Sequence, residues 1–249
     1  SISASGLKIR NADIIVDGQA SVQVMPGLPP HLWLDLGVGY LDVTAVSRYL
    51  PVGILRKRPN LLHWLDNALL EGQVSGGKLS FDGPLQPQTV ESGAANFGFD
   101  ARLTGGQLKF HEQWPVVNGL EAQLRFKDAG LRVAVSNADF LGIQTDRFEA
   151  SIADFRWAEV VLNGSFNSSV MEALSLLRDT PLKKRFGNVL LGFDTSGRVN
   201  GDLQNFSLKL KPPISPRLNA TLKITGGRLK HSGWSEAATN ISGELSVSE

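Results

Sequence analysis

Apolar and polar side chains alternate with a period of two along most of this chain, and no motif restricts its fold as strongly. In LEAQLRF, residues 120–126, Leu120, Ala122, Leu124 and Phe126 interleave with Glu121, Gln123 and Arg125. LRVAV, residues 131–135, sets Leu131, Val133 and Val135 on one face, and NFSLKLK, residues 205–211, does so with Phe206, Leu208 and Leu210. LNATLKIT, residues 218–225, repeats the pattern with Leu218, Ala220, Leu222 and Ile224; near the start Leu7 and Ile9 precede Ile14 and Val16. Successive side chains of a strand point to opposite faces, so each run reads as a strand with one face buried and one wet, as in an antiparallel sheet. TGG, KDAG, NG, SGR and NGD fall between the runs and read as turns.

One turn signal recurs. LTGGQLKF, residues 103–110, has counterparts in VSGGKLSF, residues 74–81, and ITGGRLKH, residues 224–231. Gly-Gly supplies positive φ without steric cost, which predicts a hairpin turn from one strand into the next. The likeness extends further: FDARLTGGQLKFHEQW aligns with ATLKITGGRLKHSGW at an offset of 121 residues (224 minus 103), with a one-residue gap before the Trp. Beyond Trp114 and Trp234, LEAQLRF matches ISGELSV. The expectation is one continuous β segment over residues 1–249, with repeat units around 74–126 and 218–247, as in architectures that grow in one direction.

Helical sequence is scarce. TAVSRYL, residues 44–50, is stopped by Pro51. PNLLHWLDNALL, residues 59–70, opens on a proline suited to a first turn and carries Leu62, Leu65 and Leu69 on a stripe beside Trp64. Residues 168–178 carry Val170, Leu174 and Leu177, and Pro181 follows. Three short helices cannot cover the apolar faces of all these strands. Either two sheets face each other, or one sheet curls around something apolar that the chain does not encode.

The net charge of +1 gives no electrostatic reason to expect nucleic acid as a partner, and the absence of cysteine excludes disulfides and Cys-ligated zinc. No apolar run reaches the length of a membrane span, and SISASGLKIR is not a signal peptide. The chain begins and ends in strand-like sequence, so it reads as a piece of a longer protein. Active-site patterns are missing. GVGYLD, residues 37–42, lacks the third glycine of a dinucleotide loop, and there is no G-x-S-x-G or P-loop. His31, His63, His111 and His231 are far apart, and Asp139, Asp146, Glu149 and Asp154 flank turns, where aspartate is favoured for local hydrogen bonding. Basic clusters at residues 56–58 and 183–185 read as solvated faces, or as attractors of anionic head groups at a membrane surface. No catalytic residue, metal or cofactor is expected.

LDVTAVSRYLP, WLDNALLEGQVSGGKLSFDGPL, FHEQWPVVNGLEAQLRF and EALSLLRDTPL resemble successive blocks of the YhdP branch of the AsmA-like proteins. They stand in that family's order and span about residues 32–212; the 64–83 block and the Trp114-Pro115 loop are the most specific. The resemblance implies a long periplasmic protein of the Gram-negative envelope, anchored in the inner membrane and moving phospholipid toward the outer membrane along a repeating β-groove. The amino-terminal anchor and carboxy-terminal closing region of that pattern lie outside this sequence, so contact with either membrane would be made by other parts.

The fold expected is therefore mainly β: an elongated, curled antiparallel sheet forming an apolar groove, with about three short helices. Its lining would begin with Phe97, Phe99, Leu103, Leu108 and Phe110, and continue through Leu120, Leu124, Phe126, Leu131, Val133 and Val135. Phe206, Leu208, Leu210, Leu222 and Ile224 would extend it, with Leu62, Trp64, Leu65 and Leu69 on a helix laid against the groove. A buried methylene gains about 0.8 kcal/mol, so phospholipid acyl chains are a suitable filling, and a bilayer offers nearly the same gain. Tight binding is then unnecessary. Two alternatives stand beside this one: a closed β-sandwich acting as an envelope scaffold, and a sugar-handling β protein, for which Trp33, Trp64, Trp114, Trp157 and Trp234 are too dispersed to nominate a platform.

Overall fold

The alternating runs build one antiparallel sheet. The computed structural model describes residues 1–49, 59–86, 89–90, 92–157, 159–186, 188, 191–209, 216–217 and 219–248. Its first half contributes β1 (Ile2–Arg10), β2 (Ile14–Gln23), β3 (His31–Asp42), β4 (Leu69–Pro84), β5 (Asn96–Leu108) and β6 (Val117–Lys127). The second contributes β7 (Gly130–Phe140), β8 (Ile143–Ile152), β9 (Glu159–Ser169), β10 (Phe193–Lys209), β12 (Asn219–His231) and β13 (Ala238–Ser248). Each pairs with the one before it, and the two-residue β11 (Pro216–Arg217) adds to β10. β1 and β13 do not pair with each other, so the sheet is open and is not a barrel. No second sheet lies among the described residues, which removes the layer a sandwich requires.

The Gly-Gly repeats are not hairpin turns. All three lie inside strands: Gly76-Gly77 in β4, Gly105-Gly106 in β5 and Gly226-Gly227 in β12. The first glycine of each has φ of +59°, +61° and +59°, and the pairing register slips there. A glycine at positive φ that adds one residue to a strand makes a β-bulge, which bends the strand and increases its twist. The second glycine serves packing. A Cβ at Gly77 would lie 3.0 Å from Val38 Cβ, at Gly106 3.0 Å from Leu120 Cβ, and at Gly227 3.1 Å from Ile241 Cβ. The repeated element thus curls the sheet and lets neighbouring strands close on its apolar side. SGR, NGD and the NG at residues 118–119 also sit within strands, whereas KDAG is the β6–β7 turn, with Lys127 paired to Gly130.

Along one lip of the sheet, the connections follow a recurring order. Residues 11–13 make a short turn, residues 43–68 a helical connection and residues 109–116 a Trp-containing loop; residues 141–142, 170–192 and 232–237 repeat that series. The two Trp loops share their hydrogen bonds. The Trp114 N–H donates to His111 O at 3.1 Å, and the Trp234 N–H to His231 O at 3.0 Å. His111 Nδ1 and His231 Nδ1 each accept a backbone N–H two residues on, at 3.1 Å in both cases.

The helical connections carry a 3-10 turn (Val43–Ala45), α1 (Val46–Tyr49), α2 (Pro59–Ala68), α3 (Val170–Arg178) and the single-turn α4 (Lys183–Phe186). Asp42 caps the 3-10 turn through the Thr44 N–H at 2.9 Å, and Ser169 with Glu172 forms a capping box on α3. α2 ends at Ala68, so Leu69, expected on the helix, instead opens β4 and pairs with Leu108. A strand start there is favoured because Leu69 joins the main apolar cluster through the sheet. That cluster contains Val43, Val74, Ala101, Leu103, Leu120, Ala122 and Ala138, so the turn after β3 covers the apolar face near its lip.

Among the described residues α3, with Leu174 buried, also packs against β9 and β10. The accessible surface is 15305 Å² at a mass of 26.9 kDa, and a compact monomer of that size exposes about 10,800 Å². Among the described residues no large side chain is fully buried.

Candidate functional site

Register determines which side chains share a face, and here it joins them into rows perpendicular to the strands. One row runs Ile14, Leu41, Val74, Leu103, Ala122, Val135, Phe148, Gly164, Leu203, Ala220, each the direct partner of the next. It takes one residue from every strand from β2 to β12 except β11. At roughly 4.8 Å between strands, these nine steps cover about 43 Å of sheet. A parallel row runs Ile9, Val16, Val38, Gly77, and another Ala101, Leu124, Val133, Ala150, Leu162, Phe206. Apart from their glycines these rows are hydrocarbon, while Ser168, opposite Val199, and Thr195, opposite Leu229, bring hydroxyls to the same face.

The residues expected to line a groove are placed as follows. Phe97 pairs with Phe81, Phe99 with Leu79 and Phe126, Leu103 with Val74, and Leu120 with Gly106. Leu124 pairs with Val133, Phe126 with Leu131, and Val135 with Ala122. Leu222 and Ile224 pair with Gly201 and Val199, and Phe206 and Leu208 with Leu162 and Val160. Phe110 lies beyond β5 in an aromatic group with Trp114 and Phe140, at ring separations of 5.6 and 6.3 Å. Phe193, His231 and Trp234 form a similar group in the second half, at 4.8 to 6.2 Å. Leu210 and the cluster at residues 56–58 lie outside the described residues, as do the side chains of Leu62, Leu65 and Leu208. Trp64 is 41% exposed, and its indole N–H donates to Phe110 O at 3.0 Å, which ties α2 to the Trp loop at the lip.

Other contributors to the face have a weaker sequence signal. Leu34, Leu36 and Val38 of β3, Leu79 and Phe81 of β4, Phe148 of β8, and Val160, Leu162 and Phe166 of β9 all share it. Alternation hints at them, but a bulge between Gln144 and Arg147 breaks the period in β8. In β9 the outward Val161 between Val160 and Leu162 hides it.

The opposite face is polar and pairs its charges locally. Asp100 accepts from Arg125 Nε at 2.7 Å, Arg132 lies 3.4 Å from Glu149, and Lys78 lies 3.6 Å from Asp35. The histidines are separately engaged: His31 with Asp82 at 2.7 Å, His63 with Asn67, and His111 and His231 in their loops. Asp139 accepts from Gln144 at 2.6 Å. Arg156 beside Asp154 holds that carboxyl below the usual carboxylate range, chiefly by side-chain hydrogen bonding. Among the described residues no group of three or more His, Asp or Glu side chains is placed to hold a metal ion, and no helix is long and apolar enough to cross a membrane.

Comparison with known proteins points in one direction. The profile of the YhdP protein family matches residues 1–249. The intermembrane phospholipid transporter YhdP of Escherichia coli (strain K12) is 22% identical over 218 residues, covering 80% of this chain and 17% of that protein. The chain thus spans less than a fifth of the length of that relative. No solved structure matches.

Proposed function

The chain belongs to the YhdP family, and from that premise we propose that it forms one section of a hydrophobic β-groove carrying phospholipid across the periplasm between inner and outer membranes. The unbroken apolar row from Ile14 to Ala220, with no second sheet over it among the described residues, carries this reading. The relative's name supplies the cargo class. In water such a face carries a hydration cost of about 25 cal/mol per Å², and acyl chains laid along it remove that cost from protein and lipid together.

The groove acts by lowering a barrier. A phospholipid leaving a bilayer exposes methylenes worth about 0.8 kcal/mol each, and the groove keeps them out of water while the polar head stays at the open side. Donor bilayer, groove and acceptor bilayer offer nearly equal burial, so lipid can move along the sheet without a deep trap. No covalent step is required, and the chain's role is that of a conduit and not an enzyme. Native mass spectrometry of the full-length protein tests the reading: retained phospholipid is expected, and a lipid-free apolar face contradicts it.

A further inference from the structure

Two strand pairs place a phenylalanine directly opposite a glycine on the apolar face: Phe148 opposite Gly164, and Phe166 opposite Gly201. The rings do not stand up from the sheet there. A Cβ built on Gly201 would lie 2.2 Å from Phe166 Cζ, 2.3 Å from Cε1 and 2.8 Å from Cε2. The far end of the ring therefore occupies the space a side chain at 201 would fill. At Gly164 the same construction meets Phe148 Cδ2 at 2.4 Å. The contrast lies between β5 and β6, where Phe99 and Phe126 are direct partners, each with a full side chain, at a ring separation of 6.0 Å.

We propose that Phe166 and Gly201 set the clearance of the groove where β9 meets β10: the ring lies down on the glycine, and this keeps the floor low enough for acyl chains to pass. The inference rests on the conduit reading above. Gly201 suits a test because its φ is not positive, so a side chain brings no backbone strain, and the three nearest atoms belong to a ring that can turn about its own χ angles. A side chain at 201 drives the ring toward the channel. The protein keeps its fold and the path narrows.

The experiment measures phospholipid retained by the full-length protein in native mass spectrometry, with the melting temperature of each variant. Gly201→Val is expected to lose most of the retained lipid while melting near the parent, and Gly201→Ala to lose part of it. Adding Phe166→Ala to Gly201→Val removes the displaced ring and is expected to restore the load. Parental lipid in Gly201→Val overturns the inference, as does a double variant that melts normally and stays empty. Should Gly201→Val not fold, Gly201→Ala with and without Phe166→Ala separates the same two outcomes. A lipid-free parent fails the conduit reading and this inference with it; a loaded parent with an equally loaded Gly201→Val fails this inference alone.

Discussion

Gly226 and Gly105 hold almost the same backbone conformation, φ +59° and +61°, although 121 residues separate them (226 minus 105). Nothing lies within 4 Å of a Cβ at either position, so the cost of a side chain there is conformational. The left-handed region costs an L-residue roughly 1–2 kcal/mol. Gly105→Ala and Gly226→Ala should each destabilise by about 1 kcal/mol in urea unfolding, and Gly105→Asn by less, because Asn tolerates that region. Gly106→Ala should be costly for another reason, since its Cβ meets Leu120 Cβ at 3.0 Å and Leu103 Cδ2 at 3.2 Å. A neutral Gly105→Ala would mean that the bulge does not need its positive φ.

The α3 cap gives a local prediction. Ser169 Oγ accepts the Glu172 N–H at 3.1 Å, while Glu172 Oε2 accepts the Ser169 N–H at 2.6 Å. Ser169→Ala removes one half of this exchange and should cost about 1 kcal/mol. Faster amide exchange confined to the first turn of α3 would show it. Unchanged protection would mean that packing of the buried Leu174 holds the helix without the cap.

On the outer face, Asp100→Ala removes the acceptor shared by Arg125 and Gln123. The pair is exposed, so the loss should be below about 1 kcal/mol, smaller still at high salt, with bound lipid unchanged. A fall in lipid load would place the outer face in the lipid path.

The period of two carries most of the fold, because a sheet with one wet face imposes alternation on every strand it contains. The glycines are harder to read. A positive φ serves a hairpin turn and a bulge equally well, and only the partner strand shows that Ser75 and Lys78, on either side of the glycines, both stay paired to β5, with Arg102 and Asp100. Leu69 reads as helical because it completes a stripe with Leu62 and Leu65, yet the sheet claims it through Leu108. The apolar face itself is legible where alternation is clean, as from Leu120 to Phe126. It is lost in β8, where a bulge shifts the phase before Phe148, and in β9, where consecutive apolar residues conceal which of them face inward. The laying of Phe166 over Gly201 has no sequence signature, since it depends on a cross-strand register set by residues far apart in the chain.

The conduit account is tested most directly at Val133 and Leu124, direct partners on the apolar side of β7 and β6, both only partly buried. Val133→Asp and Leu124→Asp put a carboxylate into the acyl path, where an unpaired charge is costly. With the face open to water when lipid is absent, each charge stays hydrated and the melting temperature should fall only modestly. Arg132→Asp and Gln123→Asp point to the opposite face and serve as controls. The measurement is retained phospholipid and melting temperature for all four variants of the full-length protein, by native mass spectrometry and calorimetry. The account predicts loss of lipid with retained folding in Val133→Asp and Leu124→Asp, and parental lipid in the controls; parental lipid in all four, or collapse of the melting transition in Val133→Asp as in a closed core, would contradict it.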